Sequence, residues 1–343
     1  MQVAYFAYSL VQCIFFIYFR YLKYYFSFAA YAPIKVNILP KGDCFKCCPI
    51  DDDTDMRYLL YTRENPAVAE QIFSYRELPS DTKFNSSRPT VIYLHGFTEI
   101  APGQSGTDIR NGIFYRFTCI VENMRLVFFF RYISAVRNTI HAGTVLARFV
   151  SWLDTRGVRP STLHVVGFSL GAEAAGLAGK ELATRGLRIG RITGLDPAFP
   201  LYNVMGRRGR LSKEDAIFVD VIHTNSGVFG YPTPIGDVDF YPNWGSPIQP
   251  GCLPQDIIRR RILDQLIGCS HRRAWQLYAE SVINPTGFPA RRCKGGTCKK
   301  TPVAYMGIAA DPSIIRFFYI NSTQEALWKK NSLRAYVIFK IAV

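Results

Sequence analysis

Histidine is scarce in this sequence, five residues in a chain of 343, so any chemistry that needs an imidazole has few candidates. Acidic side chains are also few. Against 41 Lys and Arg stand 26 Asp and Glu, a net charge of +15 that favours anionic surfaces such as lipid headgroups, sulfated glycans or nucleic acid. Nucleic acid is not an expected partner, because the basic residues fall in short scattered clusters with no zinc-finger, RRM or helix-turn-helix signature. There is no internal repeat, no low-complexity tract and no collagen-like composition. With 48% hydrophobic and 20% charged residues, disorder is excluded as the main state. The length allows two domains at most, or one large α/β domain with short additions.

Residues 1–19 carry no charge and are rich in Phe, Tyr, Ile, Leu and Val, so residues 1–30 read as a signal peptide or a signal anchor. Arg20 and Lys23 follow the apolar run instead of preceding it. Ser27 and Ala29 offer a cleavage site, while basic residues after the span favour a cytoplasmic catalytic part by the positive-inside rule. Residues 31–47 read as a linker. The nine cysteines argue instead for an oxidising compartment and a secreted, extracellular protein. Cys252 and Cys269 bracket a mixed apolar and basic stretch. Cys293 and Cys298 close a small basic loop that is bridgeable if the chain turns on Gly295 and Gly296, and these four are the expected disulfide cysteines. Cys44, Cys47 and Cys48 resemble half a zinc site but lack a second Cys or His pair at metal spacing, so no metal is expected. Cys119 fits a buried apolar position as well as a bridge. Two sequons, at Asn85 and Asn321, suit the secretory route and require surface positions.

Short β-rich runs alternate with helical patterns, the signature of a doubly wound, mostly parallel α/β sheet. Strands are expected at Val91–His95, Leu163–Val166, Arg191–Leu195 and Phe218–His223. Helical spacing marks Thr139–Trp152, with Val145, Phe149 and Trp152 on one face, and again Ala172–Ala183 and Ala274–Val282. Between a strand and a helix stands Gly167-Phe168-Ser169-Leu170-Gly171, the G-x-S-x-G pattern of a nucleophile elbow. Glycine is needed on both flanks because a Cβ there would clash across so sharp a bend. The serine Oγ is lifted above the sheet, with the positive end of the new helix facing any oxyanion.

A serine nucleophile needs a base, and the base an orienting carboxylate, in the chain order Ser, Asp, His for this architecture. Asp196, directly after the strand ending at Leu195, is the natural acid; a helix cap before Pro197 is the alternative. His95, His141 and His164 precede Ser169. His223 follows Asp196 but lies within an expected strand, and His271, at the start of a helix, is the better placement.

His95–Phe97, Gly167–Gly171, Thr193–Ala198 and Gly268–His271 together resemble the pancreatic-type lipase family, in particular its secreted insect members and phospholipases A1. The resemblance covers residues 48–308 and implies an α/β-hydrolase fold. It implies Ser169 as nucleophile, Asp196 as acid, His271 as base, and the backbone N–H groups of Phe97 and Leu170 as oxyanion hole. It implies a serine carboxylic-ester hydrolase acting on lipid esters, with no cofactor. The sixteen residues between Cys252 and Cys269 resemble the family lid, with Ile258, Ile262 and Leu266 at spacing four, and residues 223–239 resemble the loop beside it. Both are short, as in phospholipases A1 and galactolipases more than in triglyceride lipases. Residues 309–343 form an atypical tail with no room for the family's C-terminal β-sandwich. Arg125–Tyr132 departs from the family pattern at a pocket-shaping loop. The alternative is a lipid-binding carrier of the same fold, resembling yolk proteins, without turnover. Basic clusters at Arg207–Arg208, Arg259–Arg261, Arg272–Arg273 and Arg291–Lys300 suit anionic lipid or sulfated glycan.

Overall fold

The computed structural model describes residues 56–72, 77–97, 99, 103–113, 118–124, 132–252, 268–294, 297–298, 304–314 and 316–320, all within one compact unit of the chain. The signal or anchor at residues 1–30, the linker, the N-terminal cysteines, the departure at residues 125–131, the lid stripe and Asn321 lie outside the described residues. Among the described residues no helix is long and apolar enough to cross a membrane.

The core is a nine-stranded sheet. In chain order its strands are β1 (Met56–Tyr61), β2 (Glu70–Ile72), β3 (Thr90–Leu94), β4 (Thr118–Met124), β5 (His164–Phe168), β6 (Ile189–Leu195), β7 (Ala216–Ile222) and β8 (Val238–Pro242). The ribbons β9 (Pro289–Ala290) with β12 (Ala304–Tyr305), and β10 (Cys293–Lys294) with β11 (Thr297–Cys298), lie outside it, and β13 (Arg316–Ile320) closes its edge. The spatial order is β13-β8-β7-β6-β5-β3-β4-β1-β2; every pairing from β13 to β4 is parallel, and β1 runs antiparallel to both neighbours.

A parallel sheet needs crossovers on both faces, and its strands are therefore apolar on both sides. In β3, Ile92 and Leu94 enter one core while Val91 and Tyr93 enter the other. Helices α1 (Gln104–Ile113) and α4 (Cys269–Ile283) cover the second face; α2 (Tyr132–Thr155) and α3 (Leu170–Ala183) cover the first. The stripe Val145, Phe149, Trp152 is buried as its spacing predicts, and α2 runs from Tyr132, where the helix is expected to start at residue 133. Its first turns bury only Ala135, Val136 and Thr139 and expose Ile133 and Ile140. The arrangement is the α/β-hydrolase fold.

The long connection from β6 to β7 is held down by α3. Lys180 donates to Arg210 O (2.9 Å), Ser212 Oγ (3.3 Å) and both oxygens of Asp215, whose carboxyl burial still pushes up against that positive charge. Across the sheet, Arg191 pairs with buried Asp220 and donates to the carbonyls of Gly307 and Ile308, tying β6 and β7 to the segment after β12. Cys293 and Cys298 are register partners in the β10–β11 ribbon. Strand β13 pairs along the whole of β8, so the sheet extends past residue 308, the expected end of the domain. Arg316–Ile320 belongs to the sheet, and its run of aromatic residues carried no turn or helix signal that tied it to β8.

Candidate active site

The chain moves from β3 to β4 toward one edge and from β5 onward toward the other, so the sheet reverses its winding between β3 and β5. Crevices open at such switch points, at the carboxyl ends of the strands. Ser169 sits there, between the last residue of β5 and the first of α3, with φ 55° and ψ −119°. Its N–H donates to Leu195 O at 3.0 Å, which fixes the elbow to β6. Glycine is enforced on both flanks: a Cβ on Gly167 would lie 2.4 Å from Gly171 O, and one on Gly171 would lie 2.5 Å from Leu94 O. Leu170 begins α3 directly after the serine, so its N–H is among the unsatisfied donors of the helix end.

Asp196 and His271 come together although 75 residues apart. His271 Nδ1 donates to Asp196 Oδ2 at 2.6 Å. The other oxygen, Oδ1, accepts the N–H groups of Thr224 (2.9 Å) and Asn225 (3.1 Å), and the carboxylate is wholly buried. Asp196 has φ 45°, and its own N–H donates to Ile222 O. The helix-cap alternative therefore gives way to a carboxylate aimed at His271. Gly230 closes the other side so tightly that a Cβ there would lie 2.1 Å from Asp196 Oδ1. The ring of Phe168, next to Ser169, packs against His271 with centroids 4.6 Å apart, and Phe229 lies 5.8 Å away.

Three of the other histidines are held by contacts of their own, away from Asp196. His223 follows β7 and is buried; its Nδ1 faces Tyr231 O (2.7 Å), its Nε2 faces Asp239 Oδ1 (2.8 Å), and its ring stacks on Tyr241. His164 meets Thr193 Oγ1, and burial together with Arg191 holds its imidazole well below the usual range. His95 donates from Nδ1 to Gly96 O inside the core.

Phe97 stands three residues after β3, and its ring meets Tyr132 edge-on at 5.4 Å. The preceding Gly96 runs along the elbow, where a Cβ would lie 2.8 Å from the Phe168 ring. The Tyr132 hydroxyl donates to Pro200 O, and Phe199 meets Tyr231 edge-on. Cys252 and Cys269 form a disulfide immediately before Ser270 and His271. Among the described residues no group of three His, Cys, Asp or Glu converges as metal ligands would.

Two contributors escaped the sequence reading. The amides of Thr224 and Asn225 have no side-chain signature. Glu173, one helical turn after Ser169, had one: a lone acid in the small-residue run Ala172–Gly176 of a helix packed on both sides. It is wholly buried, its Oε2 accepting Leu211 N–H at 2.6 Å, and burial pushes its carboxyl up to about 8.

Residues 27–312 match the model of the family described as Lipase. The chain is 37% identical over 264 residues to pancreatic lipase-related protein 2 of Bos taurus, covering 71% of this chain and 54% of that protein. It is 36% identical to the Rattus norvegicus protein of the same name, covering 71% and 54%. It is 34% identical to pancreatic triacylglycerol lipase of Homo sapiens, covering 70% and 54%. The chain thus spans about half the length of the curated relatives it matches. With the elbow serine and the buried Asp–His pair on one sheet edge, the chain belongs to the pancreatic-type lipase family.

Proposed function

We propose that the protein is a secreted serine hydrolase of lipid carboxylic esters. The observation that carries this reading is the 2.6 Å hydrogen bond from His271 to buried Asp196 at the sheet edge where Ser169 occupies a strained elbow. Because Nδ1 is committed to Asp196, Nε2 is the nitrogen left to take the proton of Ser169 as Oγ attacks the ester carbonyl. The oxyanion is received by the N–H groups of Phe97 and Leu170, reinforced by the amino end of α3. The imidazolium then protonates the leaving alcohol, and water repeats the sequence on the acyl-enzyme. Every step uses side chains and amides of this chain.

The substrate is a lipid ester at an aggregate surface. The relatives named above include a triacylglycerol lipase, while the short segment between Cys252 and Cys269 resembles phospholipases A1. We assign the phospholipid preference on that segment. The test is fatty-acid release from phosphatidylcholine vesicles and from a triglyceride emulsion, with a fluorophosphonate label mapped by peptide mass. Release together with a label on Ser169 is the expected result, faster from the vesicles. Release faster from the emulsion would reverse the preference, and no release from the folded protein would favour the carrier reading.

The secreted location rests on the Cys252–Cys269 disulfide and on Asn85, which lies exposed in a turn where its Oδ1 accepts Ser87 N–H. A glycan on Asn85 is expected when the chain is expressed in a secretory eukaryotic host. Peptide N-glycosidase should lower the mass of protein from the medium and convert Asn85 to Asp; retention in the cytosol without a glycan would refute the location.

A further inference from the structure

Two consecutive residues after β8, Asn243 (φ 51°) and Trp244 (φ 64°), hold the left-handed backbone that side chains rarely adopt. Such strain persists only where the surroundings over-determine it. Here they do. Asn243 Nδ2 donates to Gln249 Oε1 (2.7 Å), while Gln249 Nε2 donates to the carbonyls of Pro242 and Ser246. Gln249 N donates to Ser270 Oγ at 2.9 Å, tying the turn to α4 beside His271. On the other side Gly245 O accepts Ser226 N–H, and Pro247 O accepts Asn225 Nδ2, tying it to the loop whose amides hold Asp196.

What this clamp holds out to solvent is an indole. Trp244 is 46% exposed, Ile248 on the same turn 56%, and Val228 on the adjoining loop 38%. Val228 immediately precedes Phe229, whose ring lies 5.8 Å from that of His271, so the exposed residues stand on the loop that reaches the Asp196–His271 pair.

We propose that the Trp244 turn, with Ile248 and Val228, is the anchor that seats the protein on an anionic lipid surface. The inference rests on the lipid-ester reading above and deepens it. An indole, with an apolar body and one N–H, suits the boundary between headgroups and acyl chains. Three exposed apolar residues are too small a patch for a stable protein interface but enough for shallow insertion. The net charge of +15 draws the molecule to anionic headgroups. Seated there, the crevice opens toward the layer from which an ester must enter.

The test uses the full chain and the variants Trp244→Gly and Ile248→Ser, sedimented with mixed phosphatidylcholine–phosphatidylglycerol vesicles. Trp244→Gly should weaken adsorption roughly tenfold, the effect of withholding about 60 Å² of apolar surface from lipid. Glycine takes φ 64° without strain, which offsets part of the packing lost with the half-buried ring, so the variant's Tm should stay within roughly 3 °C of the native value. Turnover of a soluble short-chain ester should be unchanged. Ile248→Ser should weaken adsorption less, and removing phosphatidylglycerol or adding salt should weaken it in every variant. Adsorption by Trp244→Gly equal to that of the native protein would overturn the proposal. So would a lower Tm with lost soluble turnover, which would make Trp244 a structural clamp, or a native dimer that the substitution dissolves. Adsorption through Trp244 without turnover of any ester would leave the anchor standing and remove the hydrolase reading.

Discussion

Asp196→Asn is expected to lower kcat on a soluble ester about 10⁴-fold with little change in KM or in Tm. The direction follows from the two halves of one carboxylate. Oδ1 accepts two backbone N–H groups, from Thr224 and Asn225, and Oδ2 accepts one from His271 Nδ1. An asparagine must keep its oxygen toward the two amides, since the reverse orientation would set an NH₂ against two N–H donors in a buried site. Its NH₂ then faces Nδ1. The imidazole can meet a donor there only by moving its hydrogen to Nε2, and in that tautomer Nε2 has no lone pair with which to take the serine proton. The side chain keeps its size and its backbone partners, so the fold is retained. Ser169→Ala, measured in parallel, sets the floor at roughly 10⁶-fold. A loss below tenfold for Asp196→Asn, with a native Tm, would mean that Asp196 does not orient the base. A loss accompanied by unfolding would contradict the expectation that the side chain keeps its backbone partners.

What was legible in the sequence was what is local. The elbow is five consecutive residues, and its glycines are dictated by contacts that any strand-to-helix turn of that sharpness creates. The strand that ends at Leu195 delivers Asp196 to the sheet edge by its position alone. The choice of His271 over His223 rested on chain order and on His223 being read as strand. In the structure His223 is paired with Asp239 and Tyr231 O, while His271 is the imidazole that meets Asp196, and neither pairing could be foreseen from spacing. Long-range contributions left no trace. The amides that hold Asp196 come from whatever residues follow β7. Gly230 is one glycine among several in a loop, and only the folded chain shows its Cα against a carboxylate. The strain at Asn243 and Trp244 was invisible for the same reason: it is imposed by hydrogen bonds that involve Gln249, Asn225 and Ser270, none of which marks a turn type.

Glu173→Gln should stabilise the protein, and by an amount that grows with pH. The carboxyl lies in the interior of α3, with Oε2 on Leu211 N–H and Oε1 buried without a hydrogen-bond partner among the described residues. Burial is the largest influence on it and pushes its pKa from 4.5 up to about 8; the Leu211 N–H, Arg210 and Lys180 oppose this, and Asp215 adds to it. In the unfolded chain the group loses its proton near 4.5, so between that pH and about 8 the folded chain binds more protons than the unfolded one. Stability with respect to this group is therefore full below pH 4.5 and declines as pH rises, until about 3–5 kcal/mol has been lost near pH 8. Glutamine is the neutral form made permanent: its oxygen still accepts Leu211 N–H, and no charge is buried at any pH. Urea unfolding at pH 5, 7 and 8.5 should show the two proteins close together at the first and separated by about 3 kcal/mol or more at the last. A separation independent of pH would show that Glu173 titrates normally and that packing accounts for the difference. The residue's place gives the titration a bearing on catalysis. Four residues after Ser169 is about 6 Å along the helix axis, one turn beneath the N–H groups proposed to receive the oxyanion. A carboxylate there would oppose the charge that develops at the ester oxygen. Kept protonated near neutral pH, Glu173 leaves the positive end of α3 undiminished, and activity on a soluble ester should fall in alkali in the native protein before it does in the glutamine variant.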